Sequence, residues 1–354
     1  MSFFSEDFLS WLDQHADEID KHSCEAGNQL IERIAAEGAF RVGVPEVLGG
    51  RGGSDQDVVE VLAELAQHSL TASFISWGQR TFIDNILHTN NPYFKEVYLE
   101  KLLTGEYAGA TALSNAVKFL SNLEDLNVRI IEENGELYLK GRLPWVTNAR
   151  ADRFLTIFVA GLTDDSGESY VVAVPSDAKN FSRSDDLEFV SLQGGNTAAL
   201  TFNKVLLKEE WILSKNAVQF LAENRPAFLG YQFGLAFGLA ERSLVEVEAE
   251  LKKRTVLTSE WQTQVQNLEA IRQLLYQGLS DREYFVTNPR ELFQLRIDIV
   301  DVVAQSLLLE LQAGGGRGYF SKSTSGFIRR WNEGAFLPIV SPSAVQLRHI
   351  LASA

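Results

Sequence analysis

Apolar side chains recur every three to four residues through the first hundred residues of the chain, a spacing that predicts amphipathic helices. Phe8 and Leu12 begin one such stretch, and similar stretches continue to about residue 101. Two segments interrupt the pattern: residues 43–53 contain five glycines and a proline, and residues 88–92 read HTNNP. Glycine, proline and asparagine at this density break helices, so both segments are predicted to be loops between helices.

The middle of the chain changes to short runs that are rich in β-branched and aromatic residues. Turn sequences such as Asn134-Gly135 separate these runs, which is typical of consecutive antiparallel strands. The runs cover residues 126–133, 135–141, 154–162, 169–175 and 199–207.

A helical spacing returns after Ser214 and predicts a bundle of long helices. The longest apolar run, residues 226–240, includes Gln232 and is shorter than the roughly 20 residues that span a bilayer, so we expect a buried core helix. The predicted long helices cover residues 217–254, 260–279 and 288–313.

The order of these regions predicts an α+β fold in three domains. Strands do not alternate with helices, so a doubly wound parallel sheet of the dinucleotide-binding kind is not expected. The predicted domains are an N-terminal helical domain at residues 1–108, a middle antiparallel β-domain at 109–213 and a C-terminal helical bundle at 214–354.

Composition and charge narrow the classes of partner. Apolar residues make up 45% of the 354 residues, which is enough for packed domains. The net charge of -15 would repel nucleic acid and anionic membrane surfaces, so neither is expected as a partner. Cys24 is the only cysteine, which excludes an internal disulfide, and the acidic N-terminal sequence does not resemble a secretion signal. We therefore expect a cytoplasmic protein.

Common catalytic motifs do not occur in the sequence. The five histidines form no HExxH pattern, and no GxSxG sequence is present. The glycine clusters lack the GK[ST] ending of a phosphate-binding loop. Neither a metal site nor a nucleophilic hydrolase is expected.

Four segments in fixed order resemble the acyl-CoA dehydrogenase superfamily across nearly the whole chain: GVPEVLGGRGG, LKGRLPWVTNARADRF, AFGLAERSL and QAGGGRGYF, which begin at residues 43, 139, 236 and 312. The resemblance implies an FAD flavoprotein with oxidoreductase activity on an acyl-CoA or related small molecule. It also implies a C-terminal four-helix bundle and a homodimer or homotetramer. The electron acceptor, or a flavin reductase as partner, stays undetermined.

The resemblance implies which residues meet the flavin ring. Trp145 would lie against the isoalloxazine and Thr147 would bond its N5 edge, while Ser114 takes the place of a flavin-contacting threonine. The residue types suit this role independently, because a flat, partly apolar ring needs an aromatic wall and a few short hydrogen-bonding groups. The interpretation of Trp145 as an ordinary core residue before a turn is the alternative.

A second set of residues would bind the FAD diphosphate and adenosine of the neighbouring subunit. A guanidinium supplies charge, and glycines let the backbone approach the phosphates. Gln262 and Gln266 leave the register of the family glutamine open by two residues. The resemblance assigns this role to Arg254, Gln264, Gln312, Gly315 and Gly316.

The catalytic glutamate of the family has no counterpart at the expected positions. A gapless alignment puts Ser341 at the glutamate, and a second family position for the base falls at about Phe228. A serine hydroxyl has no useful basicity near neutral pH, and a positioned base contributes roughly 10²- to 10⁴-fold to a rate. Glu333 is the nearest acid, and there we expect a structural ion pair.

Three functions stay open on this sequence. The first is an acyl-CoA dehydrogenase-like oxidoreductase with a displaced base or an unusually acidic substrate. The second is a flavin-dependent monooxygenase on the same scaffold, although its catalytic histidine has no obvious equal, since His349 falls beyond Ser341 on a predicted helix. The third is a catalytically inactive, flavin-holding or protein-binding oligomer.

Overall fold

The first region of the chain consists of helices packed around one central, buried helix. The computed structural model describes residues 2–163, 167–320 and 325–353. Serine caps begin three of the helices, and at Ser54 the side chain of Asp57 completes a capping box. The helices are α1 (Glu6–Lys21), α2 (Glu25–Ala36), α3 (Asp55–His68), α4 (Leu70–His88) and α5 (Tyr93–Leu103).

Helix α4 is buried along nearly its whole length, and its polar side chains bond to backbone groups of neighbouring elements. The Nε2 atom of Gln79 donates to the carbonyls of Leu102 and Tyr107, at 2.8 and 3.0 Å, and its Oε1 accepts from the amide of Gly109 at 2.6 Å. These bonds fix the junction between the helical domain and the first strand, because buried polar groups are costly when unpaired.

The middle region is a single eight-stranded sheet with the order β6-β7-β3-β2-β4-β5-β8 and with β1 beside β4. A short helix, α6 (Ser114–Leu120), lies between the first two strands. The strands are β1 (Ala108–Thr111), β2 (Val128–Glu133), β3 (Glu136–Val146), β4 (Phe154–Leu162), β5 (Ser169–Pro175), β6 (Phe181–Arg183), β7 (Ala198–Leu206) and β8 (Ile212–Ser214).

The prediction of a purely antiparallel sheet is wrong for β4, which pairs in parallel with both β1 and β2. Strands β2 and β3 form the predicted antiparallel hairpin around Asn134 and Gly135, both with positive φ. Strand β4 follows β3 in sequence but lies beside β2. It runs in the same direction as β2. Pairing partners of this kind cannot be deduced from local alternation.

The last region contains long helices that pack on one another and on α3. In the described residues, none of the helices combines the length and apolar character needed to cross a membrane. The helices are α7 (Ala217–Gly230), α8 (Gln232–Glu250), α9 (Thr258–Leu279), α10 (Arg282–Thr287), α11 (Pro289–Gly314), α12 (Gly316–Tyr319), α13 (Phe327–Phe336) and α14 (Ala344–Ala352).

The predicted single helix over 217–254 is wrong, because α7 ends at Gly230 and α8 begins at Gln232. Pro226 removes a backbone donor within α7, and glycines weaken the helix on both sides of the break. The segment is buried, as expected, and Tyr231 at the break is fully buried. Apolar residues continue on both sides of Tyr231, so the sequence pattern did not indicate that the helix is interrupted there.

A polar cluster holds the break in place. The hydroxyl of Tyr231 donates to Asp55 at 2.6 Å, and Arg282 donates to Asp55 at 2.7 and 3.0 Å and to Asp84 at 2.6 Å. Burial opposes ionisation of Asp55, but hydrogen bonding and charge pairing with Arg282 bring the pKa of its carboxyl below the ordinary value. The end of α7 is therefore anchored to α3, α4 and α10.

Substitution at Gly238 tests the close contact between α8 and α3. A methyl group there would lie 2.0 Å from the carbonyl oxygen of Ala63, so Gly238→Ala should lower the free energy of unfolding by about 1–3 kcal/mol. Gly314→Ala is the matched control, because a methyl group at that helical position meets no atom within 4 Å. It should be neutral or stabilise by up to about 1 kcal/mol. Urea unfolding measures both, and equal effects would contradict the packing described.

Candidate functional site

Ser114 and Ser341 lie in direct contact although 227 residues separate them in sequence. Ser114 is the first residue of α6, and Ser341 lies in the turn before α14. Their hydroxyl oxygens are 2.6 Å apart. The fold thus brings together the residue predicted to contact the flavin and the residue predicted to replace the family glutamate.

A chain of hydrogen bonds from the bundle core positions Ser341. Gln232 donates from Nε2 to the carbonyl of Ser341 at 2.9 Å, and its Oε1 accepts from Nε of Arg296 at 3.0 Å. Arg296 also donates to the carbonyl of Leu337 at 2.9 Å. Burial lowers the pKa of the Arg296 guanidinium to about 10. The turn that carries Ser341 is therefore tied to α8 and α11.

Trp145 presents its ring to solvent, with 60% of its surface exposed, which excludes the core-residue interpretation. It lies at the end of β3 and shares a shallow pocket of about 100 Å³ with Ser114, Ala112 and Pro144. The Phe189 ring is 6.2 Å away, centroid to centroid. An exposed aromatic face beside Ser114 suits a flat ligand ring.

The turn after Trp145 is held rigidly. Asn148 has a φ of 60°, and its Nδ2 donates to Gln79 and to the carbonyl of Gly109, both at 3.1 Å. Its amide donates to the carbonyl of Gly195 at 2.8 Å. The Thr147 hydroxyl oxygen lies 3.1 Å from that of Thr197. Thr147 is half-buried, so its hydroxyl is held at a defined place at the strand end.

A cavity of about 330 Å³ opens beside the serine pair. Leu113 and Pro342, the neighbours of the two serines, are both part of its wall. Phe228, the second position considered for the family base, also lines it. Among the described residues that form the wall, none is an aspartate or glutamate. Further apolar wall residues are Leu221, Leu229, Phe293, Leu347 and Ile350.

Three polar groups in the cavity wall lack partners and were missed by the sequence analysis. The Oδ1 atoms of Asn85 and Asn224 are buried without a hydrogen-bond partner among the described residues. The guanidinium of Arg225 makes no hydrogen bond or ion pair in that part of the chain, and burial lowers its pKa. One signal was available, since Asn224 and Arg225 come directly before the apolar run at 226–240.

Glu333 is a structural residue and lies outside the cavity wall. It is completely buried, accepts from Arg329 at 3.1 Å on both oxygens, and accepts from the amide of Leu70 at 3.0 Å. Burial raises the pKa of Glu333, although the charge of Arg329 opposes the shift. The expected ion pair at this position is present.

Arg254 and Gly315 lie side by side at the far end of the bundle. Gly315 has a φ of 56°, and a side chain there would approach the guanidinium of Arg254 to 3.2 Å. In the described ranges, that guanidinium has no hydrogen-bond or ion-pair partner, and Gly316 faces open space. Tyr319 is 75% exposed. The region combines a guanidinium that makes no hydrogen bond among the described residues, with the charge of Glu250 near it, and accessible backbone.

The surroundings of the two glutamines of the predicted FAD site do not indicate a binding role. Gln312 is exposed and donates to the carbonyl of Leu308 at 3.3 Å. Gln264 is half-buried on α9, and no hydrogen bond within the described residues engages its side chain. Their binding roles, and the pairing of this region with Trp145 of a neighbouring subunit, stay predictions.

Comparison with known proteins agrees with this architecture. The family model described as "Acyl-CoA dehydrogenase, N-terminal domain" matches residues 7–106. An acyl-CoA dehydrogenase of Bacillus subtilis is 24% identical over 321 residues, which cover 86% of this chain and 84% of the relative. Several other relatives are matched over about half of their own length.

Solved structures share the fold over the whole chain. Butyryl-CoA dehydrogenase from Megasphaera elsdenii superposes with a TM-score of 0.83 at 17% identity, over 100% of this chain and 99% of that one. An acyl-CoA dehydrogenase complexed with FAD from Bacillus anthracis gives 0.81 at 17% identity, over 98% of this chain and 63% of that one. The order of a helical domain, a middle sheet and a helical bundle is shared with these structures. Residues 7–106 therefore match the N-terminal domain of the acyl-CoA dehydrogenases, and the chain as a whole has the fold of that superfamily.

Replacement of Asn224 tests whether the cavity keeps a polar group at a cost in stability. Asn224→Leu removes a buried acceptor without a partner, and the only hydrogen bond that it loses among the described residues is to the carbonyl of Phe220 in its own helix, so it should raise the free energy of unfolding by up to about 1 kcal/mol. Asn91→Leu is the control, because Asn91 donates to the carbonyls of Glu210 and Ile212 and accepts from the amide of Tyr93.

The control should lose about 1–3 kcal/mol, since paired backbone groups lose their partner. Urea denaturation of both variants measures the difference. A loss of stability in Asn224→Leu equal to that in Asn91→Leu would show that the amide oxygen is paired after all.

Proposed function

We propose that the protein is an FAD-dependent oxidoreductase of the acyl-CoA dehydrogenase type that acts on an acyl thioester, with Ser341 in the place of the usual glutamate base. The observation that carries the proposal is the contact of Ser114 with Ser341, at 2.6 Å, between a cavity and the exposed face of Trp145. An aromatic face, hydroxyl groups and a mostly apolar cavity adjoin at this point.

The residues fit FAD on two counts. Trp145 offers an uncovered aromatic face, and Thr147 and Ser114 provide short hydroxyl groups near it, which suits the isoalloxazine. Arg254 offers a guanidinium that makes no hydrogen bond within the described residues and lies next to Gly315 and Gly316, which suits a diphosphate. When bound, FAD supplies a two-electron acceptor for hydride. The proposed roles of Gln264 and Gln312 complete the adenosine side.

The two FAD-binding regions are proposed to act across subunits, as the resemblance implies. Trp145 and Thr147 belong to the middle sheet, whereas Arg254 and Gly315 lie at the end of the bundle. A homodimer or homotetramer would then be the functional unit.

The serine pair determines what this site can do with a thioester. Each hydroxyl can donate one hydrogen bond and accept up to two, and Gln232 and Arg296 hold the Ser341 backbone in place. Neither serine hydroxyl removes a proton from carbon at neutral pH, so the oxidation needs either a base displaced from this position or a substrate whose α-proton is acidic enough for a weak base to accept it. Apolar side chains, Phe228 and Phe293 among them, would surround the acyl group.

The FAD-binding role of Arg254 is tested with its charge removed. Arg254→Met should raise the Kd for FAD roughly 10- to 100-fold, since a hydrogen bond to a charged group contributes about 1.5–3 kcal/mol. Lys253→Met is the matched control, because Lys253 is the adjacent cation and is 74% exposed. Fluorescence titration of the FAD-free protein measures both. Equal weakening in the two variants would argue for general electrostatics instead of a specific contact.

Restoring a carboxylate tests the proposed reaction. Anaerobic mixing of the FAD-loaded protein with a panel of acyl thioesters should bleach the flavin slowly, and Ser341→Glu should accelerate bleaching by up to roughly 10²- to 10⁴-fold. Ser341→Ala controls for loss of the contact with Ser114. Because glutamate is larger than serine, the double variant Ser114→Ala with Ser341→Glu gives it room.

Two outcomes would contradict the proposed reaction. If neither glutamate variant is bleached faster than the parent protein, Ser341 is not at the position of the base. If purified protein takes up no FAD at all, the inactive scaffold becomes the better account.

Oxygenation is a second candidate function, favoured by one observation. His349 lies in the wall of the same cavity as Pro342, next in sequence to Ser341, although it lies on α14 beyond the turn. A histidine there could serve a reaction of reduced flavin with O₂. Oxygen consumption in the presence of a flavin reductase would distinguish this function from thioester oxidation, provided that His349→Ala abolishes it.

A further inference from the structure

Arg225 is the one arginine or lysine among the described residues that form the cavity wall, and it lacks an anionic partner there. Its guanidinium carbon lies 5.8 Å from the centre of the Phe293 ring. Burial lowers its pKa, and no charge pairing offsets this. Because partly buried arginines are usually paired with carboxylates, an unpaired one facing a cavity indicates a missing anion.

The two asparagines indicate that this cavity does not simply hold a hydrocarbon chain. Asn85 donates to the carbonyl of Thr81 at 2.7 Å, and Asn224 donates to the carbonyl of Phe220 at 2.8 Å. These bonds fix the orientation of both amides, since a flipped amide would set oxygen against oxygen. Both Oδ1 atoms are therefore left as buried acceptors, with 2% and 4% of the residues exposed. A methyl-ended chain would leave all three polar groups unmatched.

We propose that the cavity selects an acyl group whose tail carries a carboxylate, and that Arg225 binds this carboxylate. The planar guanidinium fork matches a carboxylate with two parallel hydrogen bonds. Asn85 and Asn224 then accept hydrogen bonds from water or from a hydroxyl or amino group on the same tail. This inference rests on the proposed function, because it takes the cavity to be the acyl site of that reaction.

The surroundings favour a carboxylate on the tail over a phosphate of CoA. Apart from Asn224, the wall residues within four positions of Arg225 in sequence, which include Leu221 and Phe228, are apolar, and the ring of Phe293 lies 5.8 Å from its guanidinium carbon. A single guanidinium in such a space can neutralise one charge, whereas several phosphate charges would stay uncompensated in a chain of net charge -15. A carboxylate carries a single negative charge, so one guanidinium neutralises it completely.

Binding of matched thioesters tests the inference. The probes are succinyl-, glutaryl- and adipoyl-CoA against butyryl-, pentanoyl- and hexanoyl-CoA, which have equal numbers of acyl carbons. Isothermal titration of the purified protein should give a Kd roughly 10- to 100-fold lower for at least one carboxylated thioester than for its neutral counterpart. Arg225→Met should remove this preference, and Arg225→Lys should retain part of it.

Arg348→Met is the matched control, since Arg348 on α14 is exposed and lies 3.8 Å from Asp301. It should leave the preference unchanged. Thermal unfolding of each variant establishes that it is folded, and Arg225→Lys keeps the test valid if Arg225→Met unfolds.

Three results would overturn the inference. One is a parent protein that binds neutral and carboxylated thioesters equally or binds neither. Another is a preference that survives in Arg225→Met. The third is equal weakening of both classes in that variant, which would assign Arg225 to the CoA moiety that they share.

The measurement separates this inference from the proposed reaction because it records binding and not flavin reduction. Selective binding of carboxylated thioesters without bleaching would leave the inference standing and reject the oxidation. If neutral thioesters bleach the flavin and Arg225→Met does not change thioester binding, the oxidation stands and the inference about Arg225 is rejected.

Discussion

The buried guanidinium of Arg296 is the constraint on which the geometry of the site depends. It lies in the bundle core on α11 and donates to two neutral acceptors, the amide oxygen of Gln232 and the carbonyl of Leu337. A buried cation held only by neutral groups is costly, and the lowered pKa of Arg296 reflects that cost. Loss of either acceptor would leave the charge poorly compensated, so the positions of α8 and of the turn at Ser341 are fixed together.

This constraint acts alongside the anchoring of α7. The break at Tyr231 ends the helix that carries Asn224 and Arg225, and the contacts of Tyr231 and Arg282 with Asp55 hold that end. The site therefore combines a fixed serine pair with unpaired polar groups on a fixed helix. Such groups reduce stability, and proteins retain them mainly at functional sites.

Much of the fold followed from the periodicity of the sequence. Helices α9 and α11 and the five longer strands were predicted because their apolar spacing is local, whereas α7 and α8 were predicted as one helix. Strands β1, β6 and β8 were not predicted, since three or four residues are too few to show an alternation. The parallel pairing of β4 depends on contacts between distant segments, which no local pattern records.

Prediction of the site was limited in the same way. Trp145, Thr147 and Ser114 could be proposed from a short motif and its place in the chain order. The contact between Ser114 and Ser341 could not, because it joins helix α6 to the turn before α14. Arg225 and Asn224 were overlooked because an apolar run beside them reads as core, although a charged residue at the edge of such a run is an available signal.

A crystal structure of the FAD-loaded assembly tests the central claim most directly. The account predicts one FAD per chain, with its ring against Trp145 and beside Thr147, and with its diphosphate at Arg254 and Gly315 of the neighbouring subunit. An assembly in which these two regions lie far apart, or in which FAD binds elsewhere, would contradict it.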